Sequence, residues 1–101
     1  MLKAEWIKEK AGKGDWYVSR HGDDERQKDG ISIDEIETVL SGGIILEQYA
    51  DTGRGESCLV GGFSTAGKPI HVVCGRRGGS LVVITVYVPK PPKFKNPWER
   101  S

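Results

Sequence analysis

The stretch "PIHVVCGRRGGSLVVITVYV", residues 69–88, constrains the fold more than any other part of the chain. Two runs rich in Val and Ile flank a Gly-Gly pair, which is the pattern of a β-hairpin, and strands this apolar must be covered on at least one face. Two polar residues interrupt it, His71 and Thr85. Side chains alternate along a strand, so the hairpin register decides whether these two share a face. A two-residue loop, Gly78-Gly79, pairs Arg77 with Ser80 and leaves polar and apolar groups mixed on both faces. A three-residue loop, Arg77-Gly78-Gly79, pairs Arg76 with Ser80 and sorts them. Ile70, Val72, Cys74, Val82, Ile84, Val86 and Val88 then line one side, while His71 stands opposite Thr85 on the other, with Tyr87 next along. Burying an unpartnered polar side chain costs roughly 1–3 kcal/mol, so the sorted register is the expected one.

Two further strand-like segments precede the hairpin, "IILEQYA" (44–50) and "SCLVGGF" (57–63), joined by short linkers rich in Gly, Ser, Thr and Asp. Short linkers make neighbouring strands antiparallel, so a four-stranded β-meander is expected. A turn around Ala66 sets Cys58 against Cys74 on the core side and Gly61 against His71 on the other, leaving a hollow beside the imidazole. The cysteines are expected to be two packed thiols.

Helices come first in the chain. "LKAEWIKEKAGKG" places Leu2, Trp6 and Ile7 at helical spacing and stops at glycine. "DWYVS" (15–19) fits a brief strand or an extended connection, and "RHGDDERQKDG" (20–30) a polar helix capped by Gly30. Ser32 and Glu35 form a capping box, Ile31 can staple onto Ile36, and Gly42-Gly43 ends a helix expected over 32–41. The fold class is α+β, with N-terminal helices packed on one face of the sheet. One domain is expected over 1–88. The prolines of "PKPPKFKNPWERS" exclude another central strand, so 89–101 is expected to be an extended tail pinned by Phe94 and Trp98.

Charge is unevenly distributed. Residues 23–37 carry a net −5 and residues 76–101 a net +5, the latter compatible with a phosphate-bearing partner. No apolar run is long enough to cross a membrane, and "MLKAEWIKEK" has charges where a signal peptide is apolar, so a cytoplasmic protein without a membrane partner is expected.

The chain has no Walker loop, no nucleophile-elbow serine and no paired-cysteine metal ligands. His71 and Cys74, three apart on a strand, point to opposite faces and cannot chelate one ion, so no metal and no cofactor is expected. His21, His71, Thr85, Tyr87 and several arginines remain, the components of a ribonuclease that needs no metal. One group takes the proton of a ribose 2′-hydroxyl, another protonates the leaving 5′-oxygen, and cations hold the phosphate. Histidine titrates near neutrality and suits either proton role.

"SRHGDDERQKDGISIDEIETVLSGGIILEQY" followed by "SCLVGGFSTAGKPIHVVCGRRGGSLVVITVYVPKPPKF" resembles the bacterial domain of unknown function 4258. Ser19 and His21, Gly30-Ile31-Ser32, Pro69-Ile70-His71-Val72-Val73, Thr85-Val86-Tyr87-x-Pro89 and a Trp-bearing tail match that family's pattern in order, over about residues 19–98. The chain departs from it at Gly22, Glu25 and Asp29, where the family tends to have an alanine and two cations. The family is grouped with the RelE- and barnase-like fold of small RNase toxins, whose active site lies on a four-stranded antiparallel sheet. The resemblance therefore implies a site of His21, His71, Thr85 and Tyr87, with Arg20, Arg26 and Arg76 on phosphate, and RNA and an antitoxin-like protein as partners. The alternative is a non-catalytic protein- or nucleic-acid-binding domain that uses the open sheet face and the basic tail. The oligomeric state is not read from the sequence.

Overall fold

A computed structural model describes residues 1–90 and 94–100. Along the chain the elements are α1 (Ala4–Gly12), β1 (Trp16–Val18), α2 (Arg20–Lys28), α3 (Ile33–Gly42), β2 (Ile44–Tyr49), β3 (Ser57–Phe63), β4 (Pro69–Arg77), β5 (Ser80–Tyr87), β6 (Phe94–Asn96) and β7 (Glu99–Arg100). Strands β1 to β5 form one sheet in the order β1-β5-β4-β3-β2, and β6 and β7 form a separate two-stranded hairpin.

The α+β class holds, but the expected four-stranded antiparallel meander is corrected to a five-stranded mixed sheet. The fifth strand is β1, which runs parallel to β5 with Trp16, Tyr17 and Val18 beside Leu81, Val82 and Val83. It supplies hydrogen bonds that the outer edge of β5 would otherwise lack. Leu81 N donates to Asp15 O at 3.4 Å and Ser19 N to Val83 O at 2.9 Å. Its entry is anchored by Asp15, which accepts from Lys10 Nζ at 2.7 Å and Ser80 Oγ at 3.1 Å.

The last hairpin corrects the expected register. The turn is Gly78-Gly79, with Arg77 opposite Ser80 and Cys74 opposite Val83; a β-bulge at Ile84 then shifts the pairing, so that Val73 faces Thr85 and His71 faces Tyr87. Gly78, at φ +61°, supplies the positive dihedral that such a tight turn requires. The bulge resolves the conflict that seemed to exclude the short turn. It switches the inward residues of β5 from Leu81 and Val83 to Val86, so the core face stays apolar with no change of loop length. Ser19 secures the bulge by donating its hydroxyl to Ile84 O at 3.0 Å.

The helices form for reasons local to their ends. The capping box of α3 is complete: Glu35 N donates to Ser32 Oγ at 3.0 Å and Ser32 N to Glu35 Oε1 at 2.9 Å. Helix α2 has no apolar stripe. It is held instead by Ser19, whose hydroxyl accepts from Gly22 N at 3.0 Å, and by Gly30 at φ +65° after its last turn. Gly43 lets α3 turn tightly into β2, because a Cβ there would stand 2.6 Å from Val39 O and 2.7 Å from Gly61 O.

The core lies between the sheet and two helices. Ile7 and Ala11 of α1 and Ile36, Val39 and Leu40 of α3 cover Cys58, Val60, Ile70, Val72, Cys74, Leu81, Val83 and Val86. Cys58 and Cys74 face one another as free thiols, their sulfurs 3.8 Å apart. The hydrogen bond that it shares with Cys58, together with burial, pushes the Cys74 thiol far above its ordinary pKa. Among the described residues no helix is long and apolar enough to cross a membrane.

Candidate functional site

The second face of the sheet carries the polar groups. The pairing sets Gly61, His71 and Tyr87 in one row across β3, β4 and β5, and Glu47, Leu59, Val73 and Thr85 in the next, with Glu47 contributed by β2. Tyr49 stands opposite Ser57, one row further along. The pairing of Gly61 with His71 is the expected one.

His71 is the centre of this face, and it is 1% exposed. It is not covered by the helices. The segment between β6 and β7 lies over it, and His71 Nε2 is 2.5 Å from Pro97 O. A carbonyl can only accept, so the neutral imidazole carries its proton on Nε2, leaving Nδ1 to accept from the Tyr87 hydroxyl at 3.4 Å. The two rings meet edge to face, with centroids 5.4 Å apart. Thr85 lies one row away on the same face, across from Val73 rather than from His71.

The covering segment is folded by its own turn. Asn96 Oδ1 accepts from Trp98 N at 2.9 Å and Glu99 N at 3.1 Å. That turn sets Trp98 against Gly61, where an added Cβ would come within 3.2 Å of Trp98 Cζ3 and 2.7 Å of Leu46 Cδ1. Trp98 also meets the Phe63 ring at 5.4 Å and 71°. The hollow expected beside the imidazole is thus filled by Leu46 and Trp98. Trp98 pins the tail as expected, while the side chain of Phe94 lies outside the described residues.

The other expected site residues lie on α2 and further along β4. His21 is on α2 with its side chain 67% exposed, 3.5 Å from Glu25 Oε1. Arg20 is exposed on the same helix. Arg26 is committed locally, donating from Nε to Asp23 Oδ1 at 2.7 Å and from Nη1 to Ile31 O at 3.2 Å. Arg76 sits over the Trp6 ring at 4.5 Å, on the helix side of the sheet. Arg77 alternates onto the face of His71, but six residues along β4, roughly 20 Å away at 3.3 Å per residue. The structure therefore brings together His71 and Tyr87 and sets Thr85 one row from them.

Glu47, Tyr49 and Phe63 belong to this face and were not singled out from the sequence. The hydroxyl of Tyr49 donates to Glu47 Oε1 at 2.5 Å. A bulge at Leu46 hides both residues from a simple alternation count, because it changes parity in the middle of β2.

Residues 18–88 match the family described as domain of unknown function (DUF4258). The chain belongs to that family. Neither a curated protein nor a solved structure matches it. The three departures from the family pattern have local structural accounts. A Cβ at Gly22 would stand 3.0 Å from Val83 O, Glu25 pairs with His21, and Asp29 Oδ2 accepts from Val88 N at 2.9 Å.

Proposed function

We propose that the helix-free face of the sheet is a phosphodiester-cleaving surface, and that the protein is a RelE-like endoribonuclease of toxin type acting by general acid–base chemistry. The single observation that carries this reading is the His71–Tyr87 pair, an imidazole hydrogen-bonded to a phenol on the face the helices leave uncovered. When Pro97 O leaves Nε2, the ring proton can pass to Nδ1 and point at the Tyr87 oxygen. Nε2 then presents a lone pair that takes the proton of a ribose 2′-hydroxyl as that oxygen attacks phosphorus. The 5′-oxygen departs with the Tyr87 proton, and the imidazolium returns a proton to the phenolate through their shared hydrogen bond. The products are a 2′,3′-cyclic phosphate and a free 5′-hydroxyl. In this reading Thr85, one row away, donates to a phosphate oxygen. A compact α+β chain of this family supports the reading only by analogy, which does not establish activity.

A second reading is favoured by one observation: both nitrogens of His71 are engaged within the chain, as in a residue that secures the tail over a binding face. The protein is then a non-catalytic docking domain. RNA incubated in EDTA separates the two. In a Trp98→Ala background, which releases the covering segment, cleavage with cyclic phosphate ends is expected. His71→Ala in that background is expected to lower the rate by about 10²-fold or more. Equal traces with and without His71 reject catalysis.

A further inference from the structure

We propose that the hollow over Gly61, walled by Leu46 and Phe63, is a subsite for a nucleobase, and that Trp98 is its resident occupant until RNA displaces it. The inference rests on the reading of this face as an RNA-processing surface and names the part that holds a base. Gly61 is the residue paired with His71 across β3 and β4, so a flat ring lying on it is beside the imidazole. The absence of a side chain there is what admits the ring, since a Cβ would come within 3.2 Å of Trp98 Cζ3. Phe63 meets that ring edge to face. Indole and purine are both fused, planar bicycles, and stacking on an aromatic wall accepts either.

The occupant is held in a way that permits exchange. Phe63 and Trp98 are 44% and 43% exposed, so their contact is at the surface and not in a closed core. The β6–β7 hairpin makes no strand pairing with the main sheet. Pro97 and Trp98 are two of its points of contact with the face, a carbonyl on His71 and a ring on Gly61 and Phe63. An incoming nucleotide that stacks on Phe63 therefore removes the ring and the carbonyl together, placing a base in the subsite and freeing Nε2 in one step.

The experiment uses the full chain and two readouts. The first is carbethoxylation of His71, with the exposed His21 as an internal standard. The second is binding of adenosine 3′-monophosphate, with ribose 5-phosphate as the control that lacks a base. In Trp98→Ala, His71 is expected to react about tenfold faster relative to His21, and the nucleotide to bind about tenfold more tightly than in wild type. Ribose 5-phosphate is expected to gain nothing, and Phe63→Ala in the same background to return nucleotide affinity to the wild-type level. Trp98→Phe keeps a ring in place and is expected to restore protection of His71. Should Trp98→Ala not fold, Phe63→Ala alone serves, with faster modification of His71 and no gain in nucleotide affinity expected. His71 as protected in Trp98→Ala and in Phe63→Ala as in wild type, or ribose 5-phosphate bound as tightly as the nucleotide, overturns the proposal. Base-dependent binding without RNA cleavage leaves the subsite standing and removes the ribonuclease reading. Cleavage without base-dependent binding does the reverse.

Discussion

The two faces of one sheet are built from the same strands and differ in almost every physical respect. On the helix-covered face, successive rows hold Cys58 against Cys74, Val60 against Val72 and Val86, and Ile70 beyond, each 2% exposed or less. On the other face the rows hold Gly61, His71 and Tyr87, then Glu47, Leu59, Val73 and Thr85. The first is closed by two helices through aliphatic packing. The second is closed over His71 by a hairpin that contributes a carbonyl and an indole. Packing against the helices is therefore confined to one side, and the polar groups are collected on the other, where Leu59 is nonetheless fully buried. Among the described residues that cover makes no strand pairing with the sheet beneath it.

The difference is broken most directly by comparing two truncations. Leu40, 1% exposed beneath α3, is expected to cost about 2–5 kcal/mol on change to Ala. Trp98→Ala, at a side chain 43% exposed, is expected to cost about 1 kcal/mol or less. Denaturant unfolding of both variants decides the matter. If Trp98→Ala falls as far as Leu40→Ala, the hairpin is part of the core and the contrast between the faces is wrong. Gly43→Ala tests the seam between α3 and the sheet. Its Cβ would meet backbone oxygens of Val39 and Gly61 at 2.6 and 2.7 Å, atoms that cannot swing aside. A loss of about 1–3 kcal/mol is expected, read in the same unfolding assay.

What could be read from the sequence follows the same division. The helix-covered layer was legible because its signals are local and redundant. The Ser32–Glu35 capping box, the apolar spacing of α3 and the Cys58–Cys74 pairing all stand as expected. The other face depends on parity, and parity is changed by bulges that leave no strong mark on composition. Loop length is not the only thing that sets the last hairpin: an extra residue at Ile84 adjusts it in mid-strand and brings Tyr87, not Thr85, across from His71. Strand β1 was ambiguous because three residues are too few to display alternation. Its pairing with β5, far along the chain, cannot be inferred from neighbouring turns. Trp98 was recognised as an anchor, but nothing in the sequence says that it lands on the glycine opposite His71.

Ser19 sharpens the comparison, because it serves the edge where the two faces meet. Its hydroxyl caps α2 and also donates to Ile84 O, so one side chain holds both the helix start and the bulge. Ser19→Ala is expected to cost about 1–2 kcal/mol, with Ser19→Thr recovering most of it. Hydrogen exchange locates the loss. Faster exchange at the Gly22 amide and along the β5 edge is expected, while the amides of α3 are unchanged. A loss spread evenly over all elements would mean that the bulge is not held by this residue.

The smallest effect concerns pH and belongs to the helix layer alone. Glu35 accepts from the backbone N–H of Ser32, and that bond, more than the Lys68 ammonium 3.3 Å away, holds its carboxyl below the usual 4.5 against the opposing effect of burial. A carboxyl whose folded pKa lies below its unfolded value contributes stability that is complete above the unfolded value and is lost as pH falls through the folded one. Replacing Glu35 with Gln keeps an acceptor for Ser32 N–H and removes the charge near the start of α3. The variant is expected to be less stable than wild type by about 0.3–1 kcal/mol at neutral pH, with the gap closing as the medium is acidified below the usual carboxylate range. Urea unfolding over that range is the measurement. A gap that stays constant would assign the effect to packing of the longer contact with Lys68 rather than to charge. A gap that closes assigns the effect to the carboxylate charge at the start of α3.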